Sequence, residues 1–386
     1  MTTAAMEIAK SFSEEIAERA TEFEDQGFVS QDIADRIAQT GLYRLCNMPE
    51  HGGMGSPPQD YAEVIEYLAQ FDASTAWVLF IGMTSALSIS NLPDKEVAQI
   101  DPAGITAGVF APMGRAVPTE ENDVPGFRLS GRWQWGSGSR NCAYITGNGF
   151  ITDADGKIQM LENGNPDQRT FFMDRDQIEL LDTWHVSGLK GSGSTDFTAT
   201  DIFVPANRVF DAQQLDRPDV PINRFPLFGF LPIGIAAVAM GIARASLDGF
   251  IAIAKAKTPQ GSRKALAGRA TTQITVAKAE ARLRSAKLFV YDAIDVLWDE
   301  AQKGGKPSID ARRDLRLSLT HAVQNCSDIV TELYTLVGGS SVYLKNPIQR
   351  QFRDIHVVTQ HMMVNESSLE PIGRLFLDVP TDTTYL

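Results

Sequence analysis

Two stretches of helical apolar periodicity enclose a middle segment with β texture, and that order limits what this chain can fold into. Near the start, Ile33, Ile37 and Leu42, then Tyr61, Val64, Ile65 and Leu68, recur at spacings of three to five, the signature of one buried helix face. PEHGGMGSPP (residues 49–58) is a dense run of turn formers and separates those helices, while NLPDKE and DPAG close the unit. From about residue 105 to 205 the chain changes to short runs, FRLSGRWQW, YITGNGFIT, RTFFMD and FTATDIFVP. These are rich in β-branched and aromatic residues and punctuated by Gly, Asp and Asn, as in antiparallel strands. Beyond the proline-bearing RPDVPINRFPLFGFLP, helical stripes return. One is Leu315, Leu319, Val323, Cys326, Ile329, Val330, Leu333 and Val337; another is Leu283, Val290, Ile294 and Leu297. Broad apolar faces on long helices suit a four-helix bundle. The expected α+β architecture is an N-terminal helical domain (1–104), a middle antiparallel β-domain (105–215) and a C-terminal four-helix bundle (216–386).

Composition narrows the partners. A chain of 386 residues with 43% hydrophobic content can bury several cores, and the net charge of -13 argues against nucleic acid or an anionic membrane. Cys46, Cys142 and Cys326 lie far apart without CxxC spacing, which fits a reducing cytoplasm rather than a disulfide framework. The start, MTTAAMEIAKSFSEEIAERA, is amphipathic and acidic, with no apolar signal-peptide core. The most apolar stretch, residues 231–242, is too short to span a bilayer and carries Pro232. A soluble cytoplasmic protein is expected.

GxSxG, HExxH, GxxxxGK[ST] and a strand-to-helix GxGxxG are all missing. The histidines, at 51, 185, 321, 356 and 361, are too scattered for a metal cluster; even His356 and His361, five apart, do not share a helical face. Three segments carry what chemistry is visible. LSGRWQWGSGSRNCAYI (129–145), reached from GVFAPMGRA, reads either as a ring platform beside donors, with Trp135, Ser137 and Ser139, or as an aromatic strand ending in a Gly-Ser turn. DTWHVSGLKGSGSTDFTATDIFVP (182–205) permits close backbone approach at Gly188, Gly191 and Gly193, but precedes a strand, so the phosphate-loop mechanism does not apply. In LVGGSSVYLKNPIQRQFRDIHVVTQHMMVN (336–365) a helix stops at Gly338-Gly339, and a new one follows Pro347 carrying Arg350, Arg353, Asp354, His356 and His361. Those charges read as an ion-pair network, and His361, flanked by Met362, Met363 and Val364, as a buried core residue or a catalytic one.

Taken in order, the helix–β–helix sequence, GL-RL-MPEHGGMG, the Trp184/Gly188 loop ending in DIFVP, and the GG…QR…RD tail at residues 338–354 resemble the acyl-CoA dehydrogenase superfamily along nearly the whole chain. The resemblance implies a flavin between the β-domain and the C-terminal helices of a homotetramer. Carried over by position, Trp135 and Ser137 would lie beside the flavin ring. Arg263 and Gln273 would meet the flavin of a neighbouring subunit, and Gly338 and Gly339 would approach its phosphates.

A dehydrogenase of this kind needs a carboxylate to take the α-proton of a thioester. The stretch matching the usual glutamate is His361-Met362-Met363-Val364, and the alternative position falls in GFLPIGIAAVAMGIARA; neither offers one. RDIHVVTQHMMVN instead resembles the two-component flavin-dependent monooxygenases. These take reduced flavin (FAD or FMN) from a separate flavin reductase and use molecular oxygen, through a flavin C4a-hydroperoxide, to hydroxylate an aromatic or heteroaromatic small molecule. That resemblance assigns catalysis to His361, as base or proton donor, and to Ser137, with Phe228, Phe230, Met362 and Met363 forming a water-poor pocket. An acyl-CoA dehydrogenase or oxidase with a non-standard base, or a nitro-compound oxidase, is the alternative.

Overall fold

The computed structural model describes residues 3–211, 220–384 and 386. The expected boundary at 215/216 lies outside them, as does the start of the proline-bearing linker. The chain opens with α1 (Ala4–Gln26), where the Thr3 hydroxyl accepts Met6 N–H at 3.3 Å and Gly27, at φ 80, ends the helix. α2 (Gln31–Gln39), α3 (Pro58–Ala69), α4 (Ala73–Ala86) and the short α5 (Asp94–Val97) follow. Every residue of α4 is buried, which explains why ASTAWVLFIGMTSA carries no charged residue. Asp72 caps it, taking the Thr75 N–H at 2.7 Å and orienting its first turn.

The middle segment forms one seven-stranded sheet among the described residues. Its strands are β1 (Thr106–Glu121), β2 (Val124–Gly136), β3 (Tyr144–Ile151), β4 (Gln168–Asp174), β5 (Glu179–Leu180), β6 (Thr195–Pro205) and β7 (Val209–Phe210), in the order β5-β6-β2-β1-β3-β4-β7. The expected antiparallel pairing holds for all ladders but β1·β3, which is parallel, with Thr106 beside Tyr144 and Ala116 beside Ile151. The cause is connectivity. β2 returns along one edge of β1, and the chain then crosses to β1's other edge before β3 begins, so β3 starts at the same end as β1. Period-2 patterning reports the buried face of each strand, not the direction of its neighbour.

The last part holds α6 (Pro221–Arg224), α7 (Leu227–Ala256), α8 (Ala270–Lys303), α9 (Ile309–Val337), α10 (Pro347–Val358) and α11 (Leu369–Phe376). The apolar stretch judged too short to span a bilayer belongs to α7, whose 30 residues are long and apolar enough, as are residues 73–91. Their most apolar windows are 83% and 89% buried in protein, and this burial accounts for the composition. α7 packs against α3 and α4 as well as α9 and α10. Gly234 lets it approach Tyr61 and Phe80, and Gly241 lets it approach the end of α3. One continuous apolar core therefore draws on the N-terminal helices, the sheet and the bundle.

Candidate active site

The site begins with two tryptophans at the end of β2. Trp133 is fully buried; its indole N–H donates to Asn148 O at 2.8 Å, and its rings stack on Phe197 with centroids 5.1 Å apart. Three glycines, one on β2 itself and one on each of β1 and β3, make its slot: a Cβ at Gly131, Gly114 or Gly147 would lie 2.6, 2.7 or 2.7 Å from the indole. Strand alternation would send Trp135, two residues on, to the same face. A register shift against β6 between Trp133 and Gly136, with Trp135 at φ 60, turns it outward instead, where it is 67% exposed. A left-handed backbone at an aromatic residue costs roughly 1–3 kcal/mol, and such strain concentrates at functional sites.

The backbone then tucks Ser137 inward, with its N–H donating to Trp135 O at 2.9 Å. Ser137 is buried and stands at the end of a row of hydroxyls: Ser192 Oγ to Ser194 Oγ is 2.7 Å, and Ser194 Oγ to Ser137 Oγ is 2.6 Å. From the other side the Trp77 indole N–H of α4 donates to Ser137 Oγ at 3.0 Å. Trp77 has no sequence signal beyond its type: an indole N–H inside an apolar helix needs an acceptor. Beside Ser137, the Ser139 hydroxyl is buried with no partner among the described residues.

Trp77 also joins Ser137 to His361, whose ring centroid lies 6.0 Å from the indole. His361 is not on α10, as expected from sequence, but in the turn beyond it, because the helix ends at Val358. There the Met363 N–H donates to His361 Nδ1 at 3.2 Å. A neutral imidazole whose Nδ1 accepts must carry its proton on Nε2. Burial first, and then the positive charge of Arg316, lower its pKa to about 4, so near neutrality the ring is an uncharged Nε2–H donor. Met363 is buried next to it, whereas Met362 is exposed and Phe230 belongs to the core, stacked on Tyr61 at 4.4 Å. Among the described residues, no carboxylate bonds to Ser137, Trp77 or His361.

The loop at Gly188 has a structural role that its sequence did not reveal. A Cβ there would sit 2.3 Å from Arg353 O, so only glycine lets the loop lie on the α10 backbone. Leu189 N–H donates to Asp354 Oδ1 at 2.7 Å, and Arg353 Nη1 donates to Ser187 O at 2.7 Å. Glu24 of α1 receives Arg350 at 3.1 Å and Arg353 at 2.6 Å, giving the ion-pair network expected of that tail. This clamp holds the strand-side hydroxyls Ser192 and Ser194 against α4.

The remaining candidates stand apart from that cluster. Arg263 and Gln273 are exposed in the loop before α8 and its first turn, with the Gln273 amide donating to Ala267 O at 2.9 Å. Gly338, at φ 68, ends α9, and the space its Cβ would occupy is open, as it is at Gly339. Lys257 Nζ ties the end of α7 to this turn through Val337 O and Ser340 Oγ, each at 2.6 Å. Sequence reading passed over Trp77 and Arg316; the latter had a legible signal, an arginine next to Leu315 in an otherwise apolar stripe.

Comparison with known proteins places this geometry. Residues 3–99 match the acyl-CoA dehydrogenase N-terminal domain and residues 233–366 the acyl-CoA dehydrogenase C-terminal domain. An indole-3-acetate monooxygenase of Acinetobacter baumannii is 31% identical over 97% of this chain and 94% of its own length. The oxygenase component of an FADH(2)-dependent resorcinol hydroxylase from Rhizobium sp. is 26% identical over 84% of this chain and 82% of its own. Among solved structures, XiaF from Streptomyces sp., in complex with FADH2 and glycerol, superposes with a TM-score of 0.88 at 24% identity, covering 97% of this chain and 95% of its own.

Proposed function

The chain belongs to the acyl-CoA dehydrogenase family, in its flavin-dependent monooxygenase branch, and on that premise we propose that it is the oxygenase component of a two-component system that hydroxylates an aromatic or heteroaromatic small molecule. The observation that carries this reading is the site around Ser137: a buried hydroxyl row and a neutral imidazole donor, to which no carboxylate among the described residues is hydrogen-bonded.

The residues fit a reduced flavin. Ser139 Oγ is an unclaimed buried donor, Trp135 holds an exposed ring in a strained conformation, and Gly338-Gly339 leaves open space at a helix end. We assign Trp135 and Ser137 to the flavin ring and Gly338 and Gly339 to its phosphates; Arg263 and Gln273, both exposed, are free to serve a flavin in a neighbouring subunit. When bound, reduced flavin supplies the two electrons that let dioxygen place one oxygen atom in the ring and release the other as water.

The chain's own groups then have distinct tasks. Ser137 Oγ accepts from Trp77, so its proton is free for a ligand only if the row runs Ser192 to Ser194 to Ser137. In that direction each donated bond polarises the next and strengthens the last donor. His361 Nε2–H donates to an oxygen of the substrate and fixes which ring carbon faces the oxidant. It does so without changing charge across neutral pH, the proton-donor role of the two considered from sequence. Burial of Trp77, Ser137 and Met363 keeps water from the reacting atoms.

A separate reductase supplying the flavin and a homotetrameric assembly belong to the same proposal. Ile274, Leu288 and Val296 are exposed on α8 within about 80° of one another at ~100° per residue, a stripe suited to a subunit interface. Three free, buried cysteines support a cytoplasmic location. The test supplies reduced FMN or FADH2 with labelled dioxygen and a panel of phenols and indoles. Hydroxylated product bearing one label is expected. Peroxide alone with every compound, or flavin bleaching by an acyl-CoA, would refute the assignment.

A further inference from the structure

Arg316 of α9 is 94% buried, since only 6% of its surface is exposed, yet among the described residues it meets no carboxylate. Of its five donors one is used, Nη1 to Phe228 O at 3.3 Å in the first turn of α7. One helical turn earlier, Arg312 is also buried; its Nη1 reaches Thr383 O at 3.3 Å and its Nε is without a partner. The other arginines of this helix and its neighbours are not treated this way. Arg313 sits between Asp310 and Asp314, and Arg282 between Asp328 and Glu332. Burying a guanidinium without its counter-ion is costly, and structures retain such a group where a charge arrives from elsewhere. Burial lowers Arg316 to about 10, which leaves it cationic at neutral pH.

Its position selects the anion. Arg316 lies on α9 with its guanidinium against the first turn of α7, and its charge is felt at His361, so the two groups lie within electrostatic reach of each other. The planar fork of a guanidinium matches two carboxylate oxygens, and two donors at opposite ends of one ligand fix its orientation. We propose that Arg316 is the counter-charge for a carboxylate carried by the aromatic substrate, so that the substrate class is an aryl carboxylic acid with its ring between Arg316 and His361. This rests on the hydroxylase reading for the reaction but not for the binding.

The experiment measures binding first, by calorimetry on the full-length protein, with aryl carboxylates having a bond, one methylene or two between ring and carboxylate, each against its neutral primary amide. Wild type should bind at least one acid about 10- to 100-fold more tightly than its amide, the range of a charge-assisted pair. Arg316→Met should abolish that preference while leaving the amide affinity within twofold, and Arg316→Lys should restore part of it. Equal affinity of wild type for acids and amides would overturn the proposal. So would equal weakening of both ligands by Arg316→Met. If that variant fails to fold, stabilisation of the wild-type melt by acid and not by amide decides the matter. Acid preference without oxygenated product would sink the hydroxylase reading and leave the carboxylate site standing.

Discussion

Replacing Gly188 by alanine isolates the contact that joins the hydroxyl row to α10. The new methyl would lie 2.3 Å from Arg353 O, 2.4 Å from Arg353 C and 2.7 Å from Asp354 N. All three are backbone atoms of a packed helix, so the loop must retreat by roughly 1 Å to restore van der Waals separation near 3.3 Å. The same retreat would stretch the Leu189–Asp354 and Arg353–Ser187 hydrogen bonds, both at 2.7 Å, beyond useful length. Overpacking costs about 1–3 kcal/mol and the bonds about 1–3 kcal/mol more, so a loss of roughly 2–6 kcal/mol is expected. At about 2.1 cal/mol/K per residue, a cooperative unit of this length loses ~1.2 °C per kcal/mol, a fall in Tm of about 2–7 °C. Gly249, inside α7, is the control. Nothing lies within 4 Å of its Cβ position, so Gly249→Ala should stabilise by about 0.5–1 kcal/mol. Urea titrations of both variants, with product yield per flavin oxidised, make the assay. Gly188→Ala should also lower that yield, because Ser192 and Ser194 ride on the displaced loop. A Gly188→Ala protein as stable and as well coupled as wild type would refute the close-approach argument.

Other outcomes follow from the same geometry. Ser137→Ala leaves the buried Trp77 N–H without an acceptor, a cost of about 1–3 kcal/mol, and should divert turnover to peroxide more than Ser192→Ala does; equal yields from the two variants would discard the directed hydroxyl row. Trp135→Gly relieves the backbone strain, so the flavin-free protein should gain up to about 1 kcal/mol in urea melts while retaining reduced flavin less well; unchanged flavin affinity would remove Trp135 from the site. For His361 the folded pKa, about 4, lies below the usual 6.5, so the unfolded chain binds the extra proton between those values. Its contribution is therefore complete above pH 6.5 and lost as pH falls toward 4, about 3 kcal/mol in all. Asp354, raised by burial to about 7, has the opposite sign: its contribution is complete below pH 3.8 and lost as pH rises toward 7. In wild type the two slopes oppose each other between pH 4 and 6.5, and His361→Gln should unmask the Asp354 slope, with stability falling as pH rises. Parallel pH–stability curves for the two proteins would show that His361 is not held neutral by the fold.

What was legible in the sequence was whatever local pattern controls. Apolar periodicity marked the helices at both ends, β-branched and aromatic runs marked the strands, and the absence of a carboxylate at residues 361–364 redirected the chemistry from dehydrogenation to oxygen activation. The resemblance to the flavin-dependent monooxygenases, position by position, made Ser137 and His361 candidates. Tertiary structure decided the rest, because the deciding contacts join distant segments. Trp77 meets Ser137 across 60 positions, and Leu189 meets Asp354 across 165. Periodicity says that a face is buried but not against what, so it could not show that β1 and β3 run parallel or that α7 lies among helices from both ends of the chain. Nor can it give a proton its place: a backbone N–H two residues beyond His361 sets the tautomer, and an arginine on α9 reinforces its neutrality. The fold follows from patterns repeated over many residues, whereas the reaction depends on single donors whose partners only packing supplies.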